Sequence, residues 1–110
     1  MMDFRKITAI IQKDALEKVE DQLRKLGVPG ISVTHVKGYG HYANFFSKDW
    51  LVSHVRIEVF IGQERAEEVA TAIMNAAHTG MDGDGIVAVL PVESVYQIQT
   101  LQKCVKDVCD

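Results

Sequence analysis

Residues 32–61 read SVTHVKGYGHYANFFSKDWLVSHVRIEVFI, and this stretch decides the fold. Ser32–Tyr39 is rich in β-branched residues, and Val52–Ile61 alternates apolar with polar residues, so each segment predicts a strand. The residues between the two strands are too many for a tight hairpin turn. We therefore predict two strands joined by a long loop that spans residues 38–54.

The loop holds most of the aromatic residues of the chain. Clustered exposed aromatic residues often mark a surface that binds something, and loops carry function more often than the elements they connect. One interpretation is therefore a docking loop, and the other is that these rings cover the core of the domain or a second copy. The aromatic residues concerned are Tyr39, Tyr42, Phe45, Phe46 and Trp50.

The region before the loop predicts a strand followed by a helix. Lys6–Gln12 alternates in the manner of a strand, and Asp14 with Glu17 three residues later forms a capping-box pattern for a helix start. Gly27 suits the left-handed residue that ends a helix. The apolar stripe of this helix comprises Leu16, Val19, Leu23 and Leu26.

The region after the loop repeats this order. A helix is predicted from Gln63 to near Gly80, where a glycine-rich turn follows. The continuous apolar run Ile86–Leu90 is typical of a central strand covered on both faces, interrupted by Pro91. Val95–Gln99 predicts a last edge strand.

The order β-α-β, long loop, β-α-β predicts an α+β fold of the ferredoxin-like βαββαβ type. This sandwich has a four-stranded antiparallel sheet with two helices on one face. We predict a single domain over residues 1–110, with a terminal tail over residues 100–110. The other sheet face would expose Ile10, Val36 and Phe60, so self-association is expected.

Composition narrows the range of functions. Net charge is −3, so there is no basic surface that would attract nucleic acid. No apolar run approaches the roughly 20 residues that cross a bilayer, and the N-terminus lacks the features of a signal peptide. We expect a cytoplasmic protein without membrane insertion.

The two cysteines, Cys104 and Cys109, lie near the C-terminus with a spacing that fits neither a CxxC pair nor a usual zinc knuckle. A structural disulfide is not expected in a reducing compartment. The preferred interpretation is the apolar stripe of a short terminal helix, and a redox-sensitive tail is the alternative. The stripe would comprise Leu101, Cys104, Val105 and Val108.

Two familiar-looking motifs are discounted. Residues 38–43 satisfy GxGxxA formally, but a dinucleotide site needs a helix to begin there within a parallel βαβ unit. Asp82-x-Asp84-Gly85 lacks the remaining ligands of a calcium loop. No pair of nucleophile and base is legible, so we do not expect an enzyme.

Four segments together resemble the P-II signal-transduction family: 6–11 (KITAII), 27–34 (GVPGISVT), 36–40 (VKGYG) and 79–85 (TGMDGDG). The resemblance covers about residues 6–100, with one gap in the long loop. It implies a homotrimer whose sheets line the centre, adenine nucleotides in the clefts between subunits, and a loop that docks on a target. Such targets are often enzymes or membrane transporters reached from the cytosol.

The resemblance also implies where a ligand would be contacted, and where this chain departs from the family. The implied ligand contacts are Ile10, Ser32, Gly38, Gly40, His54, Gly83, Asp84, Gly85, Gln97 and Gln99. Basic or glutamine residues of the family are replaced at Ile86, Gln97, Gln99, His54, His41 and Tyr42. The shortened loop also lacks the tyrosine that some members have uridylylated.

These replacements weaken the expected nucleotide site. A hydrogen bond from a cation is worth about 1.5–3 kcal/mol, so three lost phosphate contacts remove roughly 4–9 kcal/mol. We therefore expect weakened or altered nucleotide binding, and the cofactor stays unknown. The resemblance favours a regulatory protein that acts on a target. The alternative is a metal-responsive module associated with divalent-cation tolerance or export, with His41, His54 and the two cysteines as candidate ligands.

Overall fold

The computed structural model describes residues 3–37 and 54–105. The strands are β1 (Phe4–Gln12), β2 (Ser32–Val36), β3 (His54–Gly62), β4 (Gly85–Val92), β5 (Tyr96–Gln97) and β6 (Gln102–Lys103), and the helices are α1 (Leu16–Lys25) and α2 (Gln63–Ala77). The first four strands form one antiparallel sheet in the order β2-β3-β1-β4. This architecture confirms the predicted ferredoxin-like sandwich.

Both helices pack on one face of this sheet because the apolar residues of β1 and β3 alternate in register. Ile7 pairs with Val59, and Ala9 pairs with Ile57, so all four side chains share a face. That face is buried together with Val19 and Leu23 of α1 and with the apolar stripe of α2, which comprises Ala66, Val69, Ile73 and Ala77. The two central strands and both helices therefore share a single core.

The predicted capping box at the start of the first helix is wrong. The chain leaves β1 through a single 3-10 turn, Lys13–Ala15, and Asp14 lies within that turn. The first α-helical residue is Leu16, preceded by Ala15, and no side chain caps this end by a hydrogen bond. The extra turn places the helix start after Asp14, so that Glu17 lies in the first turn of the helix.

The prediction for Ile86–Leu90 as a central strand covered on both faces is also wrong. Strand β4 lies at the edge of the sheet, and Ile86, Val89 and Leu90 are 40–46% exposed. Pro91 lies within β4, opposite Arg5, and does not interrupt the strand. An edge strand tolerates proline because the missing N–H faces away from the neighbouring strand.

The C-terminal predictions need correction as well. The segment predicted as a last edge strand, Val95–Gln99, contributes only β5, which pairs with β6 in a separate two-stranded sheet. The predicted terminal helix is replaced over residues 101–105 by the end of this hairpin, where Cys104 donates its N–H to the Val95 carbonyl at 2.8 Å. Cys104 is disulfide-bonded, contrary to the expectation. The other cysteine, Cys109, lies outside the described residues.

The sheet face opposite the helices, which we call the open face, is partly apolar. Phe60 is 54% exposed there. Lys6 of β1 lies between Phe60 of β3 and Leu90 of β4 in one row across the sheet. Lys6 forms an ion pair with Glu58, and the hydrogen bond from Lys6 is the main cause of a lowered pKa at Glu58. The predicted exposure of Phe60 is confirmed, with charged side chains interspersed.

Candidate functional site

The carboxyl end of β1 and the amino end of β3 lie side by side at one end of the sheet. Gln12 and His54 pair there because the two strands are antiparallel. Both side chains reach the same backbone carbonyl, that of Gly83. His54 donates from Nε2 at 3.1 Å and Gln12 donates from Nε2 at 3.2 Å. Since His54 is only 3% exposed, this contact is part of the fold itself.

Gly83 belongs to the turn over residues 79–85, which leads from α2 into β4. The Asp84 carboxylate accepts hydrogen bonds from the backbone N–H of Thr79 at 2.7 Å and of Gly80 at 2.9 Å, and one from the Thr79 hydroxyl. These bonds close the turn across its two ends. Gly80 and Gly83 have φ of +86° and +93°, values that glycine adopts at little cost.

The pKa of Asp84 reflects this environment. Burial acts to raise the pKa of the carboxyl. The hydrogen bonds from Thr79 and Gly80 and the nearby His78 ring act in the opposite direction, and the pKa is lowered overall from its usual value of 3.8. His78 Nδ1 lies 3.8 Å from the carboxylate. Asp84 is therefore an anion at neutral pH.

Replacing Asp84 by asparagine should remove part of the acid sensitivity of the fold. A folded-state pKa below the unfolded value stabilises the native state above about pH 4, and this contribution is lost as the pH falls through the folded pKa. We expect D84N to lower Tm at pH 7 and to flatten the fall of Tm below pH 4, measured by thermal denaturation. Asp82→Asn, an exposed carboxylate in the same turn, is the control. Identical pH profiles for D84N and the unaltered protein would contradict the role of Asp84.

A cavity of about 380 Å³ opens beside this turn, between α2 and the first residues of β4. Its lining is mainly apolar, with two polar side chains at the turn. The residues that line it include Ile11, Met74, His78, Asp84, Ile86 and Val87. A second cavity, of about 330 Å³, lies at the opposite edge of the sheet, beside β2, where Val28, Ile31 and Val33 contribute apolar surface.

The structure brings together half of the predicted ligand contacts. Ile10, His54, Gly83, Asp84 and Gly85 lie at or beside the turn, since Gly85 pairs with the residue after Ile10. Ser32 is not among them, because it begins β2 and pairs with Glu58, whereas the last residue of β2 pairs with His54.

Two further predicted contacts, Gln97 and Gln99, are not gathered at the turn. Gln97 lies in the hairpin of β5 and β6, where its Oε1 accepts a hydrogen bond from the Thr100 hydroxyl at 3.0 Å. Gln99 is exposed in the turn of that hairpin. Gly38 and Gly40 lie outside the described residues. Gln12 is a site residue that was not predicted from the sequence. Its antiparallel pairing with His54, which was predicted, is what indicates it.

The arrangement does not favour the metal-responsive alternative. Within residues 3–37 and 54–105, no group of three or more histidine, cysteine or acidic side chains is placed to hold a metal ion. His54 is bound to the Gly83 carbonyl, and Cys104 is disulfide-bonded. His41 and Cys109 lie outside the described residues, so no observation supports this hypothesis.

Neither described helix has the length and apolar composition needed to span a lipid bilayer.

The family model for nitrogen regulatory protein P-II matches residues 4–102. The nitrogen regulatory protein P-II of Azospirillum brasilense is 39% identical over 106 residues, which are 90% of this chain and 95% of that protein. The protein of the same name from Rhizobium meliloti is 40% identical over 103 residues, covering 87% of this chain and 92% of that protein.

The plant relatives add a structural match. A P-II homolog of Arabidopsis thaliana is 33% identical over 105 residues, and the chain spans 54% of the length of that protein against 88% of its own. The crystal structure of Arabidopsis thaliana PII bound to citrate superposes with a TM-score of 0.83 at 31% identity. It covers 96% of this chain and 92% of the crystallised one. Sequence and fold therefore point to the same family.

Proposed function

Because the chain belongs to the nitrogen regulatory protein P-II family, whose members are regulatory signal transducers and not enzymes, we propose that it controls a target protein through the loop of residues 38–54. The match over residues 4–102 is the observation that carries this proposal. The target would be an enzyme or a membrane transporter reached from the cytoplasm. Tryptophan, tyrosine and phenylalanine are typical interface anchors, which supports the aromatic loop as the contact.

The proposed assembly is a homotrimer held together through the open face. Proteins of this family form trimers, and here Phe60 and Leu90 present apolar surface on that face. In such an assembly the two edge strands, β4 and β2, would lie near those of other copies. The cavities beside them would then form clefts between subunits.

A small ligand bound in the cleft between subunits would determine whether the protein binds its target. The turn over residues 79–85 supports this proposal, because backbone groups at Gly83–Gly85 lie beside an open cavity and are held in place by His54, Gln12 and Asp84. The relative from Arabidopsis thaliana was crystallised with citrate bound. An adenine nucleotide is the candidate ligand for this chain, with weakened or altered binding because basic residues are replaced.

The loop is tested by Trp50→Ala, a residue outside the described part of the chain. We expect the variant to lose at least about tenfold in affinity for the target, since a buried tryptophan anchor is worth about 2 kcal/mol or more. The assembly should keep its mass. Candidate targets come from quantitative affinity purification, and the affinity is then measured with the purified pair.

Tyr96→Ala is the matched control, because Tyr96 is an aromatic residue that is 66% exposed outside the loop. This variant should bind the target with unchanged affinity. Dissociation of the assembly by W50A, seen by light scattering, would show that the loop is structural. Equal target affinity for W50A and the unaltered protein would exclude Trp50 as an anchor.

A further inference from the structure

We propose that the open face holds a tetrahedral inorganic oxyanion, phosphate or sulfate, at the guanidinium of Arg56, and that this anion is enclosed where copies of the chain meet. The inference rests on the proposed homotrimer, because the open face is the surface through which the copies would pack. It adds a ligand site on the sheet face opposite the helices. The balance of charge on that face and one nitrogen atom of Arg56 carry the inference.

The open face carries more positive than negative charge. Alternate residues of each strand point to this face, and among the described residues of the four-stranded sheet three of them are lysine, arginine or acidic. These three are Lys6, Arg56 and Glu58. Two cations therefore share one carboxylate, and each copy brings one excess positive charge to the surface where copies would pack.

The carboxylate of Glu58 is engaged mainly by Lys6. The two groups form an ion pair, and the hydrogen bond from Lys6 is the largest cause of the lowered pKa of Glu58. The Nε atom of Arg56 lies 3.7 Å from the same carboxylate, which is too far for a hydrogen bond. The excess charge of the open face therefore belongs to Arg56.

The Nε atom of Arg56 also lacks an acceptor. It is buried, and within residues 3–37 and 54–105 no hydrogen-bond partner reaches it. A buried N–H group without an acceptor is costly, so such an atom calls for a partner. The side chain as a whole is 42% exposed, so the guanidinium is accessible to a ligand. Its neighbours across the strand pairs are Thr34 on β2 and Ile10 on β1, and neither is acidic.

A tetrahedral oxyanion matches both features of Arg56. The guanidinium presents its Nε–H beside an Nη–H as a fork, and two oxygen atoms of phosphate or sulfate fit this fork. Thr34 is the direct cross-strand neighbour, so its hydroxyl is placed to donate a further hydrogen bond. Burying an uncompensated charge is costly, and like charges on neighbouring copies repel. An anion at Arg56 would offset both costs and favour assembly.

The inference is tested by light scattering on a dilution series of the purified chain in chloride, phosphate or sulfate at one ionic strength. We expect millimolar phosphate or sulfate to lower the dissociation constant of the assembly at least about tenfold relative to chloride. The effect should saturate as the anion concentration rises, because a defined site fills. Equal dissociation constants in the three salts would overturn the inference.

Arg56→Gln is the decisive variant, because it removes the charge and the fork while keeping a polar side chain. R56Q should assemble in chloride at least as tightly as the unaltered protein and should not respond to phosphate. Arg24→Gln is the matched control, since Arg24 pairs with Glu20 on α1, away from the open face. R24Q should keep the full response. A phosphate response that persists in R56Q would be the general effect of excluded salts and would overturn the site.

The same measurements distinguish failure of this inference from failure of the proposed function. The mass of the assembly reports the homotrimer in every salt. A stable trimer whose dissociation constant is the same in phosphate and in chloride would overturn the oxyanion site and leave the proposed assembly in place. A single-subunit mass in all three salts would overturn the proposed assembly, and the site with it.

Discussion

Replacing Gly85 by alanine is expected to destabilise the protein by about 3 kcal/mol or more. Two causes act together. Gly85 has φ of +112°, a conformation that side chains rarely adopt. A Cβ atom would also lie 1.8 Å from the Ile10 carbonyl oxygen and 2.8 Å from its carbon. Because β4 pairs with β1 at this point, neither backbone can move without breaking the ladder.

Chemical denaturation of three glycine variants separates these causes. Gly27 has φ of +78° but open space around the position of a Cβ, so G27A should cost only about 1 kcal/mol. Gly30 has open space and no positive φ, so G30A should change the free energy of unfolding by less than about 0.5 kcal/mol. A G85A variant no less stable than G27A would show that β1 and β4 can separate at this point.

A double substitution on the open face, Phe60→Asp with Leu90→Asp, is expected to convert the proposed trimer into single subunits at micromolar concentration. Both side chains lie on the same row of the sheet, on either side of Lys6. Burying two carboxylates between copies without partners would cost several kcal/mol. The core should tolerate the change, because Phe60 and Leu90 are 54% and 40% exposed.

Light scattering measures the mass of the assembly directly. Met81→Asp is the matched control, since Met81 is an apolar residue that is 67% exposed in the turn before β4. It should leave the mass unchanged. A double variant that keeps the mass of the unaltered protein would show that another surface joins the copies.

The elements with strong periodicity could be predicted from the sequence. The alternation in Val52–Ile61 and the stripe of α2 each have one buried side, so the local pattern determines their placement. Strand β4 could not be placed in the same way. A continuous apolar run does not distinguish a central strand that is covered on both faces from an edge strand whose apolar side chains are partly exposed.

The candidate site was predictable only in part, because its contacts depend on register. His54 came from a resemblance, whereas Gln12 appears only once β1 is paired with β3. Gln97 was assigned to an edge strand, but the pairing of β5 with β6 places it in a separate hairpin. The disulfide at Cys104 was missed since spacing alone does not report the oxidation state of a thiol.

Pro91 has a consequence for how this protein tolerates crowding. A rim strand with a full set of outward amide groups invites another chain to extend the sheet, and repeated extension leads to fibrils. Pro91 leaves one position on the outer rim of β4 without a donor, so such growth is interrupted there. A cell could accumulate the protein to high concentration with less risk of uncontrolled polymerisation.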